Sequence, residues 1–287
     1  MALSVNNNTA AFNTYRSLSS TQSALSSSLE KLSSGFRINR AADDAAGLSI
    51  SEGLRSKING FNQAVRNAQD GVSIVQTAEG ALNETTSILQ RMRTLTVQAQ
   101  SSGTYGDSST DAVKAIQSEV DQLAKELNRI ASKTEFNGQL LLGGTFQNKT
   151  FQIGANAGDT LAITINSGTA SSGFSAADLA VGTGTGESGT GLDVSQSSTL
   201  TAINSAITKV SSSRGTLGAL QNRLEHTINN LNVSVENLTA SESRVRDTDM
   251  ASEMVSFSNK QILAQAGTSM LAQAKNLPQS ILSLLQN

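Results

Sequence analysis

Residues 15–36, YRSLSSTQSALSSSLEKLSSGF, carry their seam at Tyr15, Leu18, Gln22, Leu25, Leu29, Leu32 and Phe36. The steps between these positions alternate three and four, the 3.5-residue repeat of a coiled-coil seam. The same stretch is a poor isolated helix. Residues 17–34 contain nine serines, each about 0.5 kcal/mol worse than alanine in a helix interior. Such a helix needs a partner. The other end of the chain offers one in GTSMLAQAKNLPQSILSLLQN, residues 267–287; from just before it apolar side chains recur at helical steps: Leu263, Ala266, Met270, Ala274, Leu277, Ile281 and Leu284. Residues 1–34 hold only Arg16, Glu30 and Lys31 as charges, and residues 250–287 only Glu253, Lys260 and Lys275. Two weakly charged, striped segments are expected to pair. One seam does not offset the ordering of both segments, so the ends are expected to stay disordered until partners from outside the chain cover them.

The interior repeats the pattern with better helix formers. A seam runs through Leu54, Ile58, Phe61, Val65, Ala68, Val72, Val75, Ala78, Leu82, Thr85, Leu89 and Met92. At about 1.5 Å per residue a helix over 48–100 would be roughly 80 Å long. SSGTYGDSST (101–110) breaks it. A second helix is predicted on Val113, Ile116, Val120, Leu123, Leu127 and Ile130. A third is predicted on Leu217, Gln221, Leu224, Ile228, Leu231, Val235, Leu238, Glu242 and Val245. Residues 138–199 change character, with 12 of the 23 glycines. There KTFQIGANAGDTLAITI (149–165) alternates as a β-hairpin, and VGTGTGESGTG (181–191) reads as a surface loop. The insert is too short and glycine-rich for a second substantial core. The expected fold is mainly α: an elongated bundle of long coiled-coil-like helices with a small β-hairpin insert, the N- and C-terminal helices pairing with each other.

Composition excludes several chemistries. There is no cysteine, hence no disulfide, thiolate nucleophile or Cys-based metal site, and the single His226 excludes a paired-histidine metal motif. A net charge of −2 argues against nucleic acid as a partner. No run approaches a membrane span, and MALSVNNNTAAF lacks the basic and apolar regions of a cleaved signal peptide. Asp43 and Asp44 are adjacent carboxylates, but with no activated nucleophile nearby they read as helix-start charges or contact residues. His226, beside Leu224, reads as a surface or packing residue. No cofactor is called for.

INRAADDAAGLSISEGLRSKINGFNQAVRNAQDGVSIVQTAEGALNE (38–84), RVRDTDMASEM (244–254) and QAGTSMLAQAKNLPQSILSLL (265–285) resemble bacterial flagellin. The resemblance covers roughly residues 1–140 and 200–287; the short central insert implies that the large outer domains of bigger members are absent. It implies a non-enzymatic structural protein of the swimming filament, secreted through the flagellar type III export channel and located outside the cell. The implied partners are further copies of itself, an export chaperone, a cap protein, hook-associated junction proteins and, for many members, the toll-like receptor for flagellin. It implies the following parts: an inner coiled-coil segment with connector (1–44), N-terminal wall helices (45–137), the insert (138–199), a C-terminal wall helix (200–246) and the C-terminal inner segment (247–287). The terminal segments would fold on assembly, with a polymerisation seam of Tyr15, Leu18, Leu25, Leu29, Leu32, Leu263, Met270, Leu277, Ile281 and Leu284. Gln90, Arg91, Leu95 and Glu119 would form a protofilament and receptor contact; Thr94 stands where receptor-binding members usually carry an acidic residue, which implies weaker recognition. The alternative within the same axial class is a hook–filament junction protein.

Overall fold

A computed structural model describes residues 8–101, 110–168, 172–182 and 193–285, with the backbone alone over 277–285. In chain order the elements are α1 (Thr9–Ser34), α2 (Ala45–Ala99), α3 (Asp111–Lys133), β1 (Glu135–Phe136), β2 (Gln139–Leu140), β3 (Lys149–Gln152), β4 (Thr160–Ile163), α4 (Ser197–Arg246) and α5 (Met250–Leu285). They group into two compact units, residues 1–58 with 237–287 and residues 59–236.

In the second unit the interior seams close as their spacing predicts. Ala68, Val75, Leu82, Leu89 and Met92 of α2 are fully buried. They share one core with Val113, Val120 and Leu127 of α3 and Ile203, Val210, Leu217 and Leu224 of α4. Asp111 in the first turn of α3 and Lys133 in its last complement the helix dipole. Among the described residues the insert builds no core of its own. Leu141, Phe146, Phe174 and Leu179 enter the core of the helices, while helix side chains satisfy the insert's irregular backbone. Asn67 Nδ2 donates to the Gln152 carbonyl at 2.9 Å, Asn128 Oδ1 accepts from the Ala176 N–H at 2.8 Å, and Ser213 Oγ donates to the Asn166 carbonyl at 2.7 Å. Buried backbone groups need such partners.

The expected hairpin is β3–β4, antiparallel with Phe151 opposite Leu161 and Lys149 opposite Ile163. A second, smaller hairpin, β1–β2, pairs Phe136 with Gln139. Its turn, Asn137-Gly138, has φ of 50° and 74°, the left-handed pair of a two-residue turn that Asn-Gly adopts with least strain. The loop expected at 181–191 lies, from 183 onward, outside the described residues.

In the first unit α1 and α5 run antiparallel against each other. Asn8 caps α1, accepting from the Ala11 N–H at 3.0 Å, and its amide also donates to the Ala274 carbonyl at 2.7 Å. At the other end of α1, Gly35 takes φ 74° and returns its N–H to the Lys31 carbonyl at 2.8 Å, an αL stop open to glycine. The chain then clasps the end of α4. The Arg37 N–H donates to the Arg246 carbonyl at 2.7 Å, and the Thr248 N–H to the Gly35 carbonyl at 3.0 Å.

Candidate functional site: the faces of the terminal helix pair

The seam between α1 and α5 differs from the one the large side chains suggest. On α1 the positions turned to α5 are Ala11, Thr14, Leu18, Thr21, Leu25, Ser28 and Leu32; on α5 they are Glu253, Phe257, Lys260, Ala264, Gly267, Leu271 and Ala274. Both sets step alternately by three and four, so the pair has heptad packing. Between Leu18, Leu25, Leu32, Phe257 and Leu271 the filling is small and polar. Lys260 Nζ donates to Ser28 Oγ at 2.5 Å and stands 3.9 Å from the Glu253 carboxylate. A Cβ on Gly267 would come within 3.1 Å of Leu18 Cδ1, so the helices approach closely there.

The two ends pair as expected, but not every predicted seam position lies between them. Leu18, Leu25 and Leu32 are half-buried against α5, but Tyr15 is 64% and Leu29 49% exposed, and Leu263 and Met270 are 59% and 63% exposed. Leu277, Ile281 and Leu284 have side chains outside the described residues. The physical reason is rotational. The apolar side of α1 is wider than one seam, with leucines at one heptad position and Tyr15 and Leu29 three residues before the next. Packing Thr14, Thr21 and Ser28 inward lets the backbones approach and turns that flank outward. Phe12, Ile262 and Val255 are exposed as well. Monomeric surfaces rarely string together this many large apolar side chains.

The connector is held by its own polar groups. The backbone N–H groups of Arg40 and Asn39 donate to Asp43 Oδ2 at 3.0 and 3.1 Å; these two bonds, that from Arg40 first, lower the Asp43 pKa below the ordinary carboxylate value. Asp44 Oδ1 accepts from the Gly47 N–H at 2.8 Å, at the start of α2. Both carboxylates thus serve turn and cap geometry, as helix-start charges do. The Arg246 guanidinium lies 4.6 Å from the centre of the Phe36 ring and 3.1 Å from the Glu52 carboxylate, a stacked and paired arginine. His226 is exposed.

In the other unit, Arg91 of α2 and Glu119 of α3 meet through two hydrogen bonds of 2.7 and 2.9 Å to one carboxylate oxygen. Gln90, Arg91, Thr94 and Glu119 are exposed, whereas Leu95 is only 2% exposed and belongs to the core. Leu95 seats the helix under this surface and is withdrawn from its contact set. Among the described residues no cluster of His, Cys, Asp or Glu has the makings of a metal site, and no helix is long and apolar enough to cross a membrane.

The antiparallel terminal pair thus carries several of its large apolar side chains outward. The sequence matches the family model of the bacterial flagellin N-terminal helical region over residues 5–147, and that of the C-terminal helical region over residues 200–285. The chain belongs to the bacterial flagellin family. It is similar to the flagellin of Bacillus subtilis, 48% identical over 98% of this chain and 99% of that one. The flagellin of Halalkalibacterium halodurans is 44% identical over the same shares. So is the flagellar filament 33 kDa core protein of Treponema phagedenis. The crystal structure of Bacillus cereus flagellin matches 58% of this chain and 88% of its own, at 28% identity and a TM-score of 0.45. As a flagellin this chain is a structural subunit of the flagellar filament and not an enzyme; a junction protein of the same axial class is not favoured. A place in the filament fits an extracellular location.

Proposed function

We propose that this flagellin polymerises through the outward faces of α1 and α5, and that the terminal pair is stable only when neighbouring copies cover them. The supporting observation is the division of the pair: hydroxyls, an amine and a glycine share the inside with Leu18, Leu25, Leu32, Phe257 and Leu271, while Phe12, Tyr15, Leu29, Ile262, Leu263 and Met270 lie outside. In a homopolymer the available cover is a second copy of the same chain. The sequence period that carries Leu263 and Met270 runs on through Leu277 and Leu284. In the free subunit the two ends are expected to exchange their amides quickly with solvent, and in the filament slowly. Ends that fold last also suit a chain exported unfolded through the flagellar type III channel. An export chaperone, the cap protein and hook-associated junction proteins are then partners on the way; nucleic acid and membrane are not.

Leu263→Asp and Tyr15→Asp test the reading. Each puts a charge on a face whose cover would have to bury it unpaired. Elongation of filament seeds should fall by about tenfold or more while the melting of the free subunit shifts by less than about 0.5 kcal/mol. Seeds that grow at the native rate from both variants would remove the outer faces from assembly.

A second reading concerns Gln90, Arg91 and Glu119. Arg91 and Glu119 come from different helices and form one exposed, pre-arranged charged surface, which supports a role as a protofilament contact and as the epitope of the toll-like receptor for flagellin. Arg91→Ala should lower activation of receptor-bearing cells with the subunit's helicity unchanged. Full signalling from the folded variant would reject the epitope.

A further inference from the structure

Sulfur is distributed unevenly over this chain. There is no cysteine, and the five methionines are Met1, Met92, Met250, Met254 and Met270. Met92 is fully buried in the core, and Met1 lies outside the described residues. The other three all belong to α5 and are 46%, 54% and 63% exposed. Met270 follows Leu263 by one heptad and shares its flank of the α1 seam, Met254 stands on the opposite flank, and Met250 lies at the exposed start of the helix.

We propose that Met250, Met254 and Met270 are an oxidation-sensitive modification site on the assembly face, reactive in the free subunit and shielded in the polymer. The proposal rests on the reading that neighbouring copies cover the outer side of α5. A thioether sulfur accepts one oxygen atom from a peroxide, whose remaining atoms leave as water; sulfur is oxidised and the peroxide reduced. The product, methionine sulfoxide, is polar and chiral where the thioether was apolar and pliable. On an exposed side chain the change costs the free subunit little. On a face that must be dehydrated against another copy it leaves a strong acceptor without a donor. The buried Met92 is spared by inaccessibility, so the subunit's own core stays intact. Oxidation therefore acts on addition to the filament and not on folding, and incorporation closes the window in which it acts.

The test treats free subunit with hydrogen peroxide, locates the added oxygen by peptide mass spectrometry, and offers the protein to filament seeds. The expected result is oxygen on Met250, Met254 and Met270 and none on Met92, with an unchanged thermal transition and elongation slowed by about tenfold or more. Methionine sulfoxide reductases should restore the rate, which separates this lesion from other peroxide damage. The triple variant Met250→Leu, Met254→Leu, Met270→Leu, which keeps Met1 and Met92, should elongate before and after peroxide at similar rates. In assembled filaments the same treatment should oxidise the three positions several-fold less. Three results would each overturn the proposal: native elongation from subunit oxidised at all three positions, no recovery with reductase, or equal oxidation in filament and free subunit. Leu263→Asp separates the two readings. If it blocks elongation and sulfoxidation does not, the assembly face stands and only the oxidation site fails; if it elongates normally, the assembly face itself fails.

Discussion

The α2 helix and the α1–α5 pair use the same heptad spacing and fill it with different residues. In α2 the buried positions are Ala68, Val75, Leu82, Leu89 and Met92, and the large side chains are the seam. In the pair the inward positions include Thr14, Thr21, Ser28, Lys260 and Gly267, and several of the largest side chains face out. Fully burying a leucine-sized side chain contributes about 1.5–3 kcal/mol; a threonine or glycine at the same position contributes far less. Spacing sets which helices can pair. What occupies the spacing sets whether the pair is self-sufficient or waits for further cover.

That contrast can be broken most decisively in α2. Leu89→Ala should destabilise the free subunit by about 3 kcal/mol, lowering its melting temperature, whereas Leu29→Ala should shift the same transition by less than about 0.5 kcal/mol. Equal shifts would erase the distinction. Inside the pair, Gly267→Val drives a branched side chain into Leu18. Overpacking of about 1–3 kcal/mol should speed amide exchange along α1 in assembled filaments; unaltered exchange would mean that the close approach at Gly267 is not a constraint. Lys260→Met replaces the amine on the seam by an apolar chain of similar length. The pair should gain about 1 kcal/mol or less, seen as added helicity in the free subunit, and a loss would show that the Ser28–Lys260–Glu253 layer holds it together.

The smallest effect is at the connector and depends on pH. The folded pKa of Asp43 is lowered, so its contribution is present above the ordinary carboxylate range and is lost as pH falls through the lowered value. Asp43→Ala should speed exchange of the Asn39 and Arg40 amides near neutral pH and make no difference in strong acid. A difference that persists in acid would assign those amides another protector.

The interior of the molecule was legible because its pattern and its packing coincide. Every predicted seam position of α2 from Leu54 to Met92 is buried or half-buried, and the β3–β4 hairpin falls where Phe151, Leu161 and Ile163 alternate. The terminal seam was half legible. Leu18, Leu25 and Leu32 mark it correctly, but large side chains drew the rest of the reading to Tyr15 and Leu29. The signal that would have found Thr14, Thr21 and Ser28 is a heptad of small residues, which hydrophobicity does not weigh. EFNGQL (135–140) carries an explicit Asn-Gly turn signal that sequence reading passed over. The clasp between residues 35–37 and 246–248 had none, since backbone hydrogen bonds between distant segments leave no mark on either. Leu95 entered the contact set through the family resemblance alone, and at 2% exposure it belongs to the core.

Many hydroxyls on these helices are folded back on their own backbone. Ser23 and Ser26 of α1 donate to the carbonyls of Ser19 and Gln22, Ser234 and Ser241 of α4 to those of Asn230 and Asn237, and Ser269 of α5 to that of Gln265. Such bonds weaken an isolated helix slightly. In a body made of one repeated chain they have another effect. A charge on a subunit's contact surface recurs in every copy, so its repulsion accumulates along the whole lattice. A hydroxyl whose proton is already placed has no sign to repel its copies, and it can lose its water without stranding a donor. Serine in place of lysine and glutamate lets an identical molecule be stacked on itself without limit.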